Sequence, residues 1–178
     1  MGDLDVILVG AGFSSYAIVE RYIICAFHVT PVNILISRSL RKRGFKCKIF
    51  EKGSSSGGTW HWNRYPGAGS DSTSEVYRYS WDKEDLRTYH WSNRYLSQPE
   101  IQGYLKHIVE RHNLQQYIQL NTELLSAHLE DSTWTVRFND GETIRARYLA
   151  TALGGLSKTN IPNIPGIKTF SGDIYHSM

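Results

Sequence analysis

The apolar positions of the chain change period as it proceeds. Two short apolar runs, "DVILVG" at 5–10 and "KCKIFE" at 46–51, predict strands covered on both faces, as in a parallel sheet. Between them "RKRGF" predicts a basic helix end that Gly44 stops and turns into the second strand. The pattern is strand, helix, strand. In "SQPEIQGYLKHIVERHN", Ile101, Tyr104, Leu105, Ile108 and Val109 recur at i, i+3, i+4, i+7 and i+8, the stripe of an amphipathic helix. Ser97 and Glu100 have the spacing of a capping box, Pro99 lies in the first turn and Asn113 closes the helix. Beyond it, "YIQLN", "LLSAHLE", "TWTVRFN" and "TIRARYLATAL" are short runs of strand type, with Asp140-Gly141 as a hairpin turn. They predict a small antiparallel meander from about Leu124 to Arg147 and a return strand from Tyr148 to Leu153. From Gly53 to Tyr95 no period is sustained, which predicts a long ordered loop; Trp60, Trp62, Trp81 and Trp91 all fall in it, and disordered segments are poor in aromatics.

A length of 178 residues fits one domain with a sizeable core. Net charge is only +3, and apart from Arg38, Arg41, Lys42 and Arg43 the basic residues are scattered, so no nucleic-acid surface is expected. That cluster is expected at the solvated end of a helix. Cys25 and Cys47 form neither a disulfide framework nor a zinc spacing and are expected to be buried thiols. The apolar patch at 22–36 is interrupted by His28, Thr30, Pro31 and Asn33 and is too short to span a bilayer. With acidic residues ahead of its first apolar run and Val6 where a myristoylation signal wants Ser or Thr, the protein is expected to be cytoplasmic. His90, His107, His112 and His128 have no metal spacing and are expected to be surface or satisfied histidines. No feature marks an oligomeric state.

Chemistry enters with Gly10-Ala11-Gly12-Phe13-Ser14-Ser15, which follows the first strand and opens the predicted helix. Gly10 permits the tight turn, and Gly12 lets the backbone approach a pyrophosphate met by the helix N-terminus. Ser15 stands where the dinucleotide fingerprint has its third glycine, a packing position that a small side chain tolerates. Glu51, at the end of the second strand, is the expected acidic partner for ribose hydroxyls. A glycine turn beside an unrelated surface glutamate is the bland alternative.

The spacing is too long. Ser15 and Glu51 are 36 residues apart, against roughly 20 in the fingerprint, and Pro31 would break a single crossover helix. Removing a block near 19–38 in thought restores the distance. Two explanations stand: an unspliced in-frame intron, or a real excursion loop within the crossover, whose closure entropy grows only slowly with length. Sequencing of the mature transcript separates them.

The run "EKGSSSGGTWHWNRYPGAGSDS" adds a more specific signal. With Gly10, Gly12, Glu51-Lys52-Gly53, Gly57-Gly58-Thr59-Trp60, Trp62-Asn63-Arg64-Tyr65-Pro66-Gly67-Ala68, Asp71, Gln98-Pro99-Glu100 and Leu156-Ser157, the chain resembles the FAD domain of Baeyer-Villiger monooxygenases. These flavoproteins have two dinucleotide-binding domains and use FAD, NADPH and O2 to insert oxygen beside a ketone carbonyl. Phe170, Gly172 and His176 resemble the opening of the family's F-x-G-x-x-x-H-x-x-x-W signature.

The resemblance implies an α/β fold: a Rossmann-like FAD-binding parallel sheet with a crossover helix and a small antiparallel β-meander, truncated relative to the family. Residues 1–178 would form the N-terminal portion of the FAD-binding domain, with the NADP domain absent and a small-molecule ketone as substrate. It further implies that Gly10, Gly12, Phe13, Ser14, Ser15, Glu51, Lys52, Gly58, Thr59 and Trp60 contact FAD. Leu124 would border the adenine through its backbone, and Tyr77 would lie near the flavin. Asp71 would be the catalytic carboxylate, beside the isoalloxazine ring and orienting an arginine of the NADP domain. No second glycine fingerprint occurs, so the chain is not expected to complete a turnover alone; a flavin N- or S-oxidising relative, or a non-catalytic remnant, is the alternative. The chain departs from the family at Gly69-Ser70, where Arg-Cys is usual, at His61, where an aromatic is usual, and at "ALGGLS", where A-T-G is common.

Overall fold

A computed structural model describes residues 4–11, 40–155 and 159–176. The region near 19–38, Cys25 and the helix expected after Gly10 lie outside the described residues. Strand β1 (Leu4–Val9) pairs in parallel with β2 (Cys47–Phe50) on one side, Val9 opposite Phe50. On its other side β1 pairs in parallel with β8 (Thr143–Thr151), Val6 opposite Tyr148. The sheet has the order β5-β2-β1-β8-β7-β6, with β5 at Ile118–Gln119, β6 at Leu124–Glu130 and β7 at Thr133–Phe138.

Alternation along β1 explains why it is apolar throughout. Ile7 and Val9 enter a cluster with Phe50, Val136, Phe138 and Ile144, whereas Val6 and Leu8 face Cys47, Ile49 and Ala150. Ile7, Leu8, Ile49 and Phe50 are fully buried, each contributing about 1.5–3 kcal/mol of transfer free energy. Phe50 and Phe138 stack at 4.3 Å between ring centroids, tying the parallel and antiparallel parts together.

The expected meander and return strand differ from what is found. β8 is one strand whose Ala146 is the crossover point, opposite Trp134 of antiparallel β7 and opposite Leu4 of parallel β1. The meander therefore extends the main sheet. The hairpin turn occurs as expected: Gly141 adopts φ 86° and the Glu142 amide donates to Asp140 Oδ1 at 2.9 Å.

The amphipathic helix spans Gln98–Arg111 and buries Ile101, Tyr104, Leu105, Ile108 and Val109. Asn113, at φ 51°, closes it in the left-handed region. The capping box does not form. Ser97 holds the N-cap position without a side-chain bond, and Glu100 instead accepts from the Ser92 amide at 2.7 Å and its hydroxyl at 2.8 Å.

The 53–95 segment contains short helices at Thr59–Trp62 and Asp85–Thr88. It also contains β3 (Gly69–Thr73), which pairs antiparallel with β4 (Tyr95–Ser97) in a second sheet that no alternation predicted. Trp81 and Trp91 pack with Tyr79, Tyr89 and Tyr104 against the long helix as core.

Candidate functional site

Three loops meet at the ends of β1 and β2. Gly10, at φ 97°, turns the chain away from β1 while its amide donates to the Phe50 carbonyl at 2.8 Å. A Cβ there would stand 2.5 Å from the Ala152 carbonyl oxygen, so close approach of two backbones demands glycine. Glu51 follows β2 and is buried, at 5% exposure. A buried carboxylate is costly unless hydrogen-bonded, and here the Ala11 amide donates to Oε2 at 2.6 Å and the Gly53 amide to Oε1 at 2.8 Å. An ionised carboxylate offers about four acceptor directions, and among the described residues these two amides fill two of them, which leaves capacity for a hydroxyl-bearing ligand.

The neighbouring turn is bound to the same group. The Thr122 amide donates to the Glu51 carbonyl at 2.9 Å and the Asn121 amide to the Gly53 carbonyl at 3.0 Å, which brings Leu124, two residues on, beside the strand ends. Thr122, 3% exposed, carries no sequence signal as a site residue because its role is played by its backbone. The Gly57 amide donates to the Ala11 carbonyl at 2.8 Å, joining the Gly57-Gly58-Thr59-Trp60 stretch to the Gly10 turn. Gly57 and Gly58 both have positive φ, 133° and 52°.

Trp60 is buried and meets Tyr77 edge-on at 5.8 Å. Its indole Nε1 is a buried donor with no acceptor among the described residues. Lys52 is exposed, its ammonium 5.6 Å from the centre of the Trp62 ring. His61 is buried beside Gly53; burial first, then the nearby Arg64 charge, lowers its pKa below the usual histidine range, and Glu51 opposes the shift.

The structure thus gathers Gly10, Glu51, Gly58, Thr59, Trp60 and Leu124 around one set of strand ends, with Tyr77 behind Trp60. Asp71 is exposed on β3, where the Ser72 hydroxyl donates to it at 3.4 Å. Gly12, Phe13, Ser14 and Ser15 fall outside the described residues, as do Leu156 and Ser157. Among the described residues no group of three or more His, Cys, Asp or Glu side chains could hold a metal ion, and no helix is long and apolar enough to cross a membrane.

His107 and His112 are satisfied histidines, 2.8 Å from the carboxylates of Asp85 and Asp82 respectively. Arg41 is not simply a solvated helix end, since its guanidinium stacks 3.5 Å from the centre of the Tyr117 ring. Cys47 is buried, and that burial raises its pKa.

Comparison with known proteins decides the family. The chain is 39% identical over 177 residues to a Baeyer-Villiger monooxygenase of Pseudooceanicola batsensis and 37% identical over 178 residues to cyclohexanone 1,2-monooxygenase of Acinetobacter sp., covering 98% of this chain in both cases. It belongs to the Baeyer-Villiger-type flavin monooxygenases. A phenazine N-monooxygenase of Lysobacter antibioticus is 43% identical over 176 residues, 97% of this chain. The chain spans about 30% of the length of these relatives. Its fold superposes on caprolactone-bound cyclohexanone monooxygenase with a TM-score of 0.80 at 36% identity, covering 98% of this chain and 31% of that one. For a steroid monooxygenase bound to NADP the TM-score is 0.78 at 36% identity, over 99% of this chain and 31% of that one. No family model matches the chain.

Proposed function

We propose that residues 1–178 are the FAD-binding portion of an NADPH- and O2-dependent monooxygenase of Baeyer-Villiger type that inserts oxygen beside the carbonyl of a small ketone. The observation that carries this reading is the Glu51 carboxylate, buried at the end of β2, braced by the Ala11 and Gly53 amides and left with acceptor capacity. That donor and acceptor set fits the ribose of a dinucleotide. The Trp60 indole N–H, which has no acceptor among the described residues, adds a donor for a polar atom of the same ligand.

In this assignment Gly10, Gly12, Phe13, Ser14 and Ser15 line the pyrophosphate and Glu51 takes the ribose hydroxyls. Lys52, Gly58, Thr59 and Trp60 border the rest of the cofactor, with Leu124 at the adenine and Tyr77 toward the flavin. Asp71 acts at the nicotinamide side, where its exposure on β3 leaves it free to meet a basic group of another part of the enzyme. The flavin supplies the redox chemistry, and the chain's own residues bind, orient and exclude water. The chain is one FAD-binding domain interrupted near 19–38, NADPH is held mostly by residues outside it, and the protein works in the cytoplasm.

A second reading, oxidation at nitrogen, is favoured by the 43% identity to a phenazine N-monooxygenase. Offering a cyclic ketone and an aromatic N-heterocycle to the enzyme containing this segment separates the two. A lactone product supports the first reading; an N-oxide with the ketone untouched replaces it by the second.

A further inference from the structure

Two glutamines on one face of the long helix hold the turn that the FAD reading depends on. Gln98 and Gln102 are one helical turn apart and both only 8% exposed, although glutamine is seldom this deeply buried. Gln102 Nε2 donates to the Ser56 carbonyl at 2.6 Å and, more weakly, to the Ser55 hydroxyl at 3.4 Å. Gln98 Nε2 donates to the Trp60 carbonyl. The two amides therefore grip the carbonyls on either side of Gly57-Gly58-Thr59.

The grip is asymmetric in an informative way. Gln102 Oε1 is buried with no hydrogen-bond partner among the described residues, and it occupies the space a Cβ on Gly57 would need. Leaving a buried carbonyl unpaired is costly, so an apolar side chain at 102 would be the cheaper filler if packing were all the position required. What the glutamine adds is the donor to Ser56 and an oxygen that a Cβ at 57 would have to displace. Gly57, at φ 133°, in turn sends its amide to the Ala11 carbonyl, the residue whose own amide is bonded to Glu51.

We infer that Gln102, assisted by Gln98, is a positioning residue for FAD: it fixes the Gly57-Gly58-Thr59-Trp60 turn against the Gly10–Ala11 turn in the shape that receives the cofactor. The inference rests on the FAD reading above, deepens it, and assigns Gln102 no contact with the reacting atoms.

The test uses the 178-residue chain and its Gln102→Leu, Gln102→Glu, Gln102→Ala, Gly57→Ala and Gly57→Ala/Gln102→Ala variants, with two readouts. Without FAD, amide hydrogen exchange over residues 56–60 is compared with that of β1 and β8. The expected result for Gln102→Leu is faster exchange in 56–60 by about tenfold, since one buried hydrogen bond is worth roughly that factor, with β1 and β8 and the melting midpoint unchanged. With FAD, flavin fluorescence is expected to report about tenfold weaker binding in Gln102→Leu and Gln102→Glu. Gly57→Ala is expected to be less harmful in the Gln102→Ala background than in the parent. Unchanged exchange at 56–60, or weakening of FAD binding only in step with a lowered melting midpoint, overturns the positioning role. A parent that binds no FAD defeats the FAD reading instead, and the exchange comparison still decides whether Gln102 holds the turn.

Discussion

The amide nitrogen of Ala11 lies 2.6 Å from Oε2 of Glu51, joining the residue after β1 to the residue after β2 across 40 positions of sequence. Because the other carboxylate oxygen holds the Gly53 amide, one side chain organises both strand ends. Replacing Glu51 with Ala leaves two backbone donors unpaired in a buried setting, each worth about 1–3 kcal/mol. Glu51→Ala is expected to lower the free energy of unfolding by roughly 2 kcal/mol or more. Glu51→Gln, which keeps one acceptor, is expected to lose about half of that. Urea unfolding of the three proteins measures it, and equal stability of Glu51→Ala and the parent would refute the arrangement.

Gly10 sits under a different constraint. A Cβ there meets the Ala152 carbonyl oxygen at 2.5 Å and adds a side chain at φ 97°. Gly10→Ala should cost about 1–3 kcal/mol by combining backbone strain with overpacking. Gly141, which also has positive φ but nothing within 4 Å of its Cβ position, should lose less on the same substitution, chiefly the strain part. Comparing the two midpoints separates close approach from dihedral preference.

Much of this framework is legible from sequence, for physical reasons that differ by element. β1 and β2 are covered on both faces and so are apolar without alternation, and the Gln98–Arg111 stripe has a clear helical period. β8 reads as two strands in the sequence although it is one, because its two halves serve different neighbours and a change of partner at Ala146 leaves no mark on the alternation. β3 and β4 carry no strand signal because β3 reads Gly-Ser-Asp-Ser-Thr, a polar turn composition whose pairing is fixed by tertiary context. The capping box failed because Glu100 found a better acceptor role with Ser92 across the helix start. At the site, Gly10 and Glu51 were visible through residue type and motif. Thr122 acts through its backbone, and Gln102 is a polar residue buried by its neighbours, a fact that helical periodicity alone does not show.

Acid should weaken the attachment of the 78–91 segment to the long helix. Asp82 accepts from Arg111 Nε at 2.9 Å and from the Asp85 amide at 2.9 Å, and His112 Nε2 lies 2.8 Å away. The Arg111 hydrogen bond above all holds its carboxyl well below the usual carboxylate range, against the opposing effect of burial. A group with a depressed folded-state pKa contributes its full stability above its unfolded value of about 3.9 and loses it as the pH falls through that value toward the folded one. Asp82→Asn should therefore be less stable than the parent by roughly 1–3 kcal/mol at pH 7, with the gap closing below about pH 4. Melting midpoints of both proteins from pH 7 to pH 3 give the answer; a constant gap would show that Asp82 acts by shape and not by charge.

The central claim is that the strand-end site built on Gly10 and Glu51 receives FAD, and its most direct test is a titration of FAD with the purified chain, followed by flavin fluorescence. Saturable quenching in the parent, weakened at least tenfold in Glu51→Ala under conditions where that variant remains folded, is the predicted result. Absence of saturation in a folded parent, or equal binding by the parent and Glu51→Ala, would contradict the account.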